Sequence, residues 1–267
     1  MTSPDSPPVR VRYTVEDGVA WLELHEPPAN CYSHEMMRAL DEAILTARFD
    51  DAVHVLVLRG GGEKFFCAGA DIGMLQRVTP SYKYYFCLHA NETLNRLEQT
   101  PKLVIAALHG HCVGGGLEVA LAADLRVAAR GSGKIGLPEV NLGVLPGTGG
   151  TQRLARLVGK SRALELMATG QLLSYEEAGA LGLVNRCFER ERFWDEVRDF
   201  ARQFVPPARA SKAVGFMKRA VQTGLEVGFE QGLALERELQ QQLFQSDDAA
   251  EGLRAYLGKR PPQFEGK

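Results

Sequence analysis

Three consecutive glycines, Gly114-Gly115-Gly116, constrain this chain more than any other stretch. The apolar, partly β-branched run Leu103-Val104-Ile105-Ala106-Ala107-Leu108 precedes them and reads as a short buried strand. Leu117-Glu118-Val119-Ala120-Leu121-Ala122-Ala123 follows and strongly favours helix. A strand that feeds a helix through three residues without side chains lets the backbone pass very close to something else. The first N–H groups of such a helix lack intrahelical partners and carry the positive end of its dipole. A site for a developing anion, with the Glu118 carboxylate beside it, fits this pattern. A tight crossover in which Glu118 only complements the helix dipole fits it equally.

Around this centre the pattern is that of an α/β chain. Residues 9–13 and 19–25 read as strands about a turn at Asp17-Gly18. Pro27-Pro28-Ala29-Asn30 reads as a loop, and Ser33 as the N-cap of a helix carrying Met36, Met37, Leu40, Ile44 and Leu45 on one face. Residues 53–58 form a third strand closed by Gly60-Gly61-Gly62, so a helical crossover joins partly parallel strands. Phe65-Phe66-Cys67-Ala68-Gly69-Ala70-Asp71-Ile72 has the small residues of a backbone-exposing turn. A helix over 82–97, a strand over 125–128 and a glycine-punctuated loop over 135–150 follow. Beyond Gly150 the pattern is helical, apart from a strand-like 183–187. Pro206-Pro207 marks the joint between a sheet-containing core, residues 1–205, and a helical part, 206–267.

Composition excludes several classes of function. At 267 residues, with 45% hydrophobic and 24% charged residues, the chain is of ordinary globular make-up. A net charge of −2, with no lysine- and arginine-dense helix, argues against nucleic acid or an anionic membrane as partner. The segment 1–8 is polar and proline-rich, without the apolar core of a signal peptide, and no apolar run reaches bilayer-spanning length. Five scattered cysteines without Cys-x-x-Cys fit a reducing, cytoplasmic setting. Gly131-Ser132-Gly133-Lys134-Ile135-Gly136 has the letters of a dinucleotide fingerprint, but Pro138 stands where a helix must open. His109 and His111 have no further ligands at metal-binding spacing, so no metal site is expected. Asp124 reads as a structural hydrogen-bond or ion-pair partner.

Three features remain: the turn Ala68-Gly69-Ala70-Asp71, the glycines with Glu118, and Pro138-Glu139. Pre-oriented N–H donors stabilise charge developing on a carbonyl oxygen. Two carboxyl groups divide acid and base duties when their surroundings separate their proton affinities. Residue patterns alone do not bring these segments together.

With Leu145-Pro146-Gly147-Thr148-Gly149-Gly150-Thr151-Gln152-Arg153-Leu154 added, these motifs closely resemble the enoyl-CoA hydratase/isomerase (crotonase) family, in order and spacing, over nearly the whole chain. The resemblance implies an α/β crotonase fold: repeated ββα units forming two roughly perpendicular sheets, then a helical C-terminal region for trimerisation. It implies an acyl-CoA substrate whose thioester oxygen sits in an oxyanion hole made by the N–H groups of Ala70 and Gly115. Glu118 and Glu139 match the family's two catalytic glutamates, Glu118 assisting attack of water on C3 and Glu139 exchanging the proton at C2. Ala68, Asp71, Ile72, Gly114, Leu137, Gly147 and Lys259 match substrate- or CoA-binding positions. Thr148 matches a wall of the acyl pocket. No metal or redox cofactor is implied, since coenzyme A arrives with the substrate, and the expected assembly is a homo-oligomer, a trimer or dimer of trimers.

The sequence departs from the family pattern at Gly73, where many hydratases carry a lysine near the CoA phosphates, and at Leu137, where a polar residue is common. Lys259 matches a lysine that reaches CoA on a neighbouring subunit; a solvated lysine is the alternative. Two glutamates point to a 2-enoyl-CoA hydratase. The alternatives are an enoyl-CoA double-bond isomerase, a dehydratase of branched or cyclic acyl-CoA, and a non-catalytic CoA- or RNA-binding scaffold.

Overall fold

A computed structural model describes residues 8–267. The proline-rich segment therefore lies outside the described residues, apart from Pro8. Strands β1 (Val11–Glu16) and β2 (Val19–Leu24) form a hairpin, in which Asp17 and Gly18 both take positive φ. This two-residue turn pairs Glu16 with Val19, so the first strand runs up to the turn instead of ending at residue 13. Helix α1 (His34–Phe49) starts at Ser33, whose side chain accepts the Met36 N–H, and buries Met36, Met37, Leu40 and Ile44. Strand β3 (Val55–Gly60) begins two residues later than its apolar run suggests, because the Val53 and His54 N–H groups bond Asp50 and Gly18 oxygens.

Next come β4 (Phe65–Cys67), α2 (Ile72–Arg77), α3 (Pro80–Glu98), β5 (Leu103–Leu108) and β6 (His111–Val113). The glycine segment opens α4 (Gly115–Leu121), followed by β7 (Leu125–Ala129) and β8 (Lys134–Gly136). Part of the expected 135–150 loop is thus strand, since Ile135 pairs with Cys112, and part is a 3-10 turn, Glu139–Leu142. Helices α5 (Gly150–Val158) and α6 (Lys160–Thr169), strand β9 (Leu173–Ser174), α7 (Tyr175–Ala180), β10 (Arg186–Phe188) and α8 (Phe193–Arg202) complete the core. The last strand overlaps the expected 183–187 but starts three residues later, because the Leu183 and Val184 N–H groups bond the Ala178 oxygen. Pro206-Pro207 precedes three helices, α9 (Ser211–Gly224), α10 (Phe229–Phe244) and α11 (Asp247–Leu257). No helix among the described residues is long and apolar enough to cross a membrane.

The strands form two sheets, ordered β1-β2-β3-β5-β7-β10 and β4-β6-β8-β9. Apart from the β1–β2 hairpin, neighbours in the first sheet are parallel. Three of its strands, β3, β5 and β7, are each followed directly by a strand of the second sheet. The chain therefore climbs both sheets together, and successive sheet-to-sheet turns stack side by side.

Alternation along the first sheet fills two cores. Leu22, Leu58, Val104 and Ala106 face α1, α3 and α4, while Trp21, Val57, Ile105 and Val127 lie under Phe193, Val197 and Phe200 of α8. Asp124 is structural: it accepts the Val104 N–H at 2.7 Å and pairs with Lys218 of α9 at 2.8 Å.

Candidate active site

The Cys67–Asp71 turn leaves the second sheet at the end of β4. A loop from the N-terminal part of the chain pins it in place. Asn30, buried, donates to the Gly61 and Phe65 oxygens at 2.9 and 3.0 Å, and the Ala68 N–H donates to Ala29. Tyr32 then bonds on both sides of Ala70: its N–H donates to Gly69, and its oxygen accepts from Asp71. In such a parallel bridge alternate residues use the shared edge, so the Ala70 N–H points the other way.

One step along the stack, β6 runs into the three glycines. Gly114 adopts φ 57° and ψ −135°, a conformation that strains a residue with a Cβ, and so turns the chain sharply into α4. Its N–H bonds the Gly136 oxygen at 2.9 Å, tying this turn to the end of β8. Gly116 packs against the Cys67 oxygen so closely that a side chain there would collide with it. These contacts draw the two turns together: a methyl group on Gly69 would stand 2.8 Å from the Gly115 nitrogen. Among the described residues, neither the Ala70 nor the Gly115 N–H has a hydrogen-bond acceptor.

Both N–H groups border a cavity of about 760 Å³. Ala68, Gly69, Ile72, Gly114, Glu118, Glu139, Gly147 and Thr148 border it too. Leu75, Leu142, Val144 and Leu145 supply apolar wall, and Lys83 a cation. Asp71 works at the back of the turn, capping α2 by accepting the Met74 N–H at 3.0 Å. Leu137 is buried in the core instead of facing the cavity, with its Cδ1 near Gly150. Lys259, exposed after α11 with φ 49°, is outside the cavity wall of this chain.

The two carboxyl groups sit in unlike surroundings. Glu118 is 2% exposed, and Oε1 accepts the Thr148 and Gly150 N–H groups, each at 2.8 Å. Thr148 also donates its hydroxyl to Oε2. Glu139, on the 3-10 turn after β8, is half-buried, and its Oε2 has no partner among the described residues. Burial, with the Glu118 charge adding to it, pushes the Glu139 carboxyl up to about 7, against the opposing pull of its own N–H and of Lys83.

This geometry gives one small region two N–H donors without an acceptor among the described residues, two carboxyl groups in unlike surroundings, and apolar walls. Comparison of the whole chain with known proteins gives its family. Residues 14–267 match the model of the enoyl-CoA hydratase/isomerase family. The chain belongs to that family. A probable enoyl-CoA hydratase of Bacillus subtilis (strain 168) is 36% identical over 96% of this chain and 99% of its own length. A crotonyl-CoA hydratase of Syntrophomonas wolfei is 34% identical over 94% and 96%. The crystal structure of an enoyl-CoA hydratase from Geobacillus kaustophilus HTA426 superposes with a TM-score of 0.94, at 45% identity, covering 98% of each chain. The fold is accordingly the crotonase fold, with its helical C-terminal region.

Sequence reading did not single out Tyr32 or Lys83 and took Thr148 only as pocket wall. Tyr32 reaches the cavity by tertiary placement alone, its hydroxyl 3.1 Å from the Thr148 hydroxyl across 116 positions. An isolated aromatic between Cys31 and Ser33 carries no local signal for this contact. The two glycines at 147 and 149 mark the Thr148 segment as a close backbone approach, which was the available clue.

Proposed function

We propose that this protein is a 2-enoyl-CoA hydratase, adding water reversibly across the C2=C3 bond of an acyl-CoA thioester. The observation that carries the reading is the meeting of two N–H groups, Ala70 and Gly115, unpartnered among the described residues, with two carboxyl groups on one apolar-walled cavity. The thioester oxygen accepts from both N–H groups, which stabilise the negative charge that grows as the β-carbon is attacked. Glu118 takes a proton from water as the water oxygen bonds to C3. Glu139 delivers its proton to C2 as the C2=C3 pair moves towards the thioester. One proton is shared by the pair before and after, and exchange with solvent restores its starting position. No further cofactor takes part in this scheme, since coenzyme A belongs to the substrate.

Ile72, Leu75, Leu142, Val144 and Leu145 give the acyl group an apolar wall, and backbone at Ala68, Gly114 and Gly147 leaves room for the pantetheine thioester. The C-terminal part, 206–267, serves assembly into a homo-oligomer, a trimer or dimer of trimers. In support, Met217, Val221, Leu225, Phe229, Phe244 and Leu257 stand exposed on its helices. In such an assembly Lys259 contacts CoA on a neighbouring subunit.

The test follows loss of the conjugated enoyl-thioester absorbance with 2-enoyl-CoAs of short, long, branched and cyclic acyl groups. Hydration of any member, abolished by Glu118→Gln or Glu139→Gln, supports the reading. Conversion of 3-enoyl- to 2-enoyl-CoA without hydration would instead mark a double-bond isomerase.

A further inference from the structure

We propose that Tyr32 and Thr148 form a one-way chain of hydroxyl groups that positions Glu118 towards the attacking water. This deepens the hydratase reading and rests on it. The Tyr32 oxygen lies 3.1 Å from Thr148 Oγ1, which in turn meets Glu118 Oε2. A threonine hydroxyl owns one hydrogen. Glu118 Oε2 takes it, so only lone pairs of Oγ1 face Tyr32, and the tyrosine must donate. Burial, with Glu118 nearby, raises the Tyr32 phenol well above its ordinary range, which keeps it a donor. The sense of the chain is therefore fixed: Tyr32 to Thr148 to Glu118. Donors in series polarise one another, so the last bond gains from the first.

The arrangement also restricts what Glu118 has left. A carboxylate offers roughly four lone-pair positions. Two N–H groups occupy Oε1, and the Thr148 hydroxyl occupies one side of Oε2. By this count one position of Oε2 is left for a water, and Glu118 borders the cavity. A role in packing alone does not account for the tyrosine. Its ring stacks on Phe86 with centroids 5.9 Å apart, a contact phenylalanine would also make. The hydroxyl, in contrast, fills the space that a Cβ on Gly115 would need. The absence of a side chain at Gly115 thus serves both its own N–H and the Tyr32 hydroxyl.

The experiment combines steady-state kinetics and melting temperatures for Tyr32→Phe, Thr148→Val, Thr148→Ser and the Tyr32→Phe/Thr148→Val double variant. Loss of a hydrogen bond to a charged group predicts that Thr148→Val lowers kcat roughly 10–100-fold while KM stays nearly constant. Thr148→Ser, which keeps the hydroxyl, should recover most of that loss. Tyr32→Phe should lower kcat less, and the double variant should be no slower than Thr148→Val. An unchanged kcat in Thr148→Val, an effect on KM alone, or a serine variant as slow as the valine would overturn the proposal. In melting, Tyr32→Phe should lower the midpoint of the wild type but raise that of Thr148→Val, where the phenol hydrogen has lost its acceptor. The same sign in both backgrounds would also overturn the chain. If the wild type hydrates no 2-enoyl-CoA, the hydratase reading falls, and the melting cycle still decides whether the hydroxyl chain exists.

Discussion

Glu118 and Glu139 face the same cavity, yet they are built on opposite plans. Glu118 stands on α4, packed against the second sheet and α5, and among the described residues its side chain's hydrogen-bond partners are all donors. Glu139 stands on a single 3-10 turn at the rim, next to the exposed Val140, Leu142, Val144 and Leu145, and one of its oxygens has no described partner. The first surroundings hold geometry; the second hold a proton. The difference teaches that identical side chains acquire unlike surroundings from the elements carrying them, and that desolvation and donated hydrogen bonds act on a charged carboxylate in opposite directions.

The largest test of this contrast is chemical. Glu118→Gln and Glu139→Gln should each cut hydration by roughly 10²–10⁴-fold, the worth of a positioned proton-transfer group, in proteins that remain folded. Near-normal turnover of 2-enoyl-CoA in either folded variant would break the assignment.

Second comes pH. The proposed scheme needs Glu139 protonated, and burial places its carboxyl at about 7, so the proton leaves as pH rises through that point. The kcat/KM for hydration should therefore fall about tenfold per pH unit well above that point. Water addition consumes no net proton, so the equilibrium is insensitive to pH and dehydration must show the same limb. A flat profile from pH 6 to 9 would contradict the Glu139 surroundings.

Stability separates the two sites further. Glu118→Gln sets an amide NH₂ among donors, at a cost of about 1–3 kcal/mol, and should lower the melting temperature at any pH. Glu139 behaves otherwise. Its raised carboxyl favours the folded state below the ordinary range, and that advantage disappears as pH rises through about 7. Glu139→Gln should accordingly leave melting nearly unchanged at pH 5 and raise it at pH 8. Equal responses of the two variants at both pH values would remove the distinction.

The smallest expected effect belongs to Lys83, whose charge opposes the rise of the Glu139 carboxyl. Lys83→Met should move the alkaline limb of kcat/KM to higher pH. A move to lower pH would show that the lysine does not act on Glu139 as a nearby cation.

Much of the frame was legible locally. Leu103–Leu108 is the strand its composition suggests, Ser33 is the N-cap of α1, and Asp17-Gly18 is the hairpin turn. Asp124 makes the structural ion pair expected of it. These features rest on residues near one another or on one face of one element. The short strands β8 and β9 were not legible, since strands of three and two residues exist only because neighbours supply their hydrogen bonds. The site divides along the same line. Gly114-Gly115-Gly116 and Glu118 announce themselves in one segment. The contact of Tyr32 with Thr148 depends on where two distant loops come to rest, and no local pattern encodes it. Leu137 is instructive in the other sense: adjacent in sequence to the cavity residues Pro138 and Glu139, and one residue past the end of β8, it is buried in the core.

The Tyr32 bridge has a further consequence, for exchange with solvent. It takes up the backbone on either side of Ala70 and leaves that one amide idle, while Gly115 begins its helix without an acceptor. Two amides beside the cavity are thus left without an acceptor among the described residues, while the adjacent Asp71 and Gly114 N–H groups bond the Tyr32 and Gly136 oxygens. In deuterated solvent this pair should label early in the free protein and late when an acyl thioester fills the cavity. The backbone would then report occupancy of the site before any bond is made or broken.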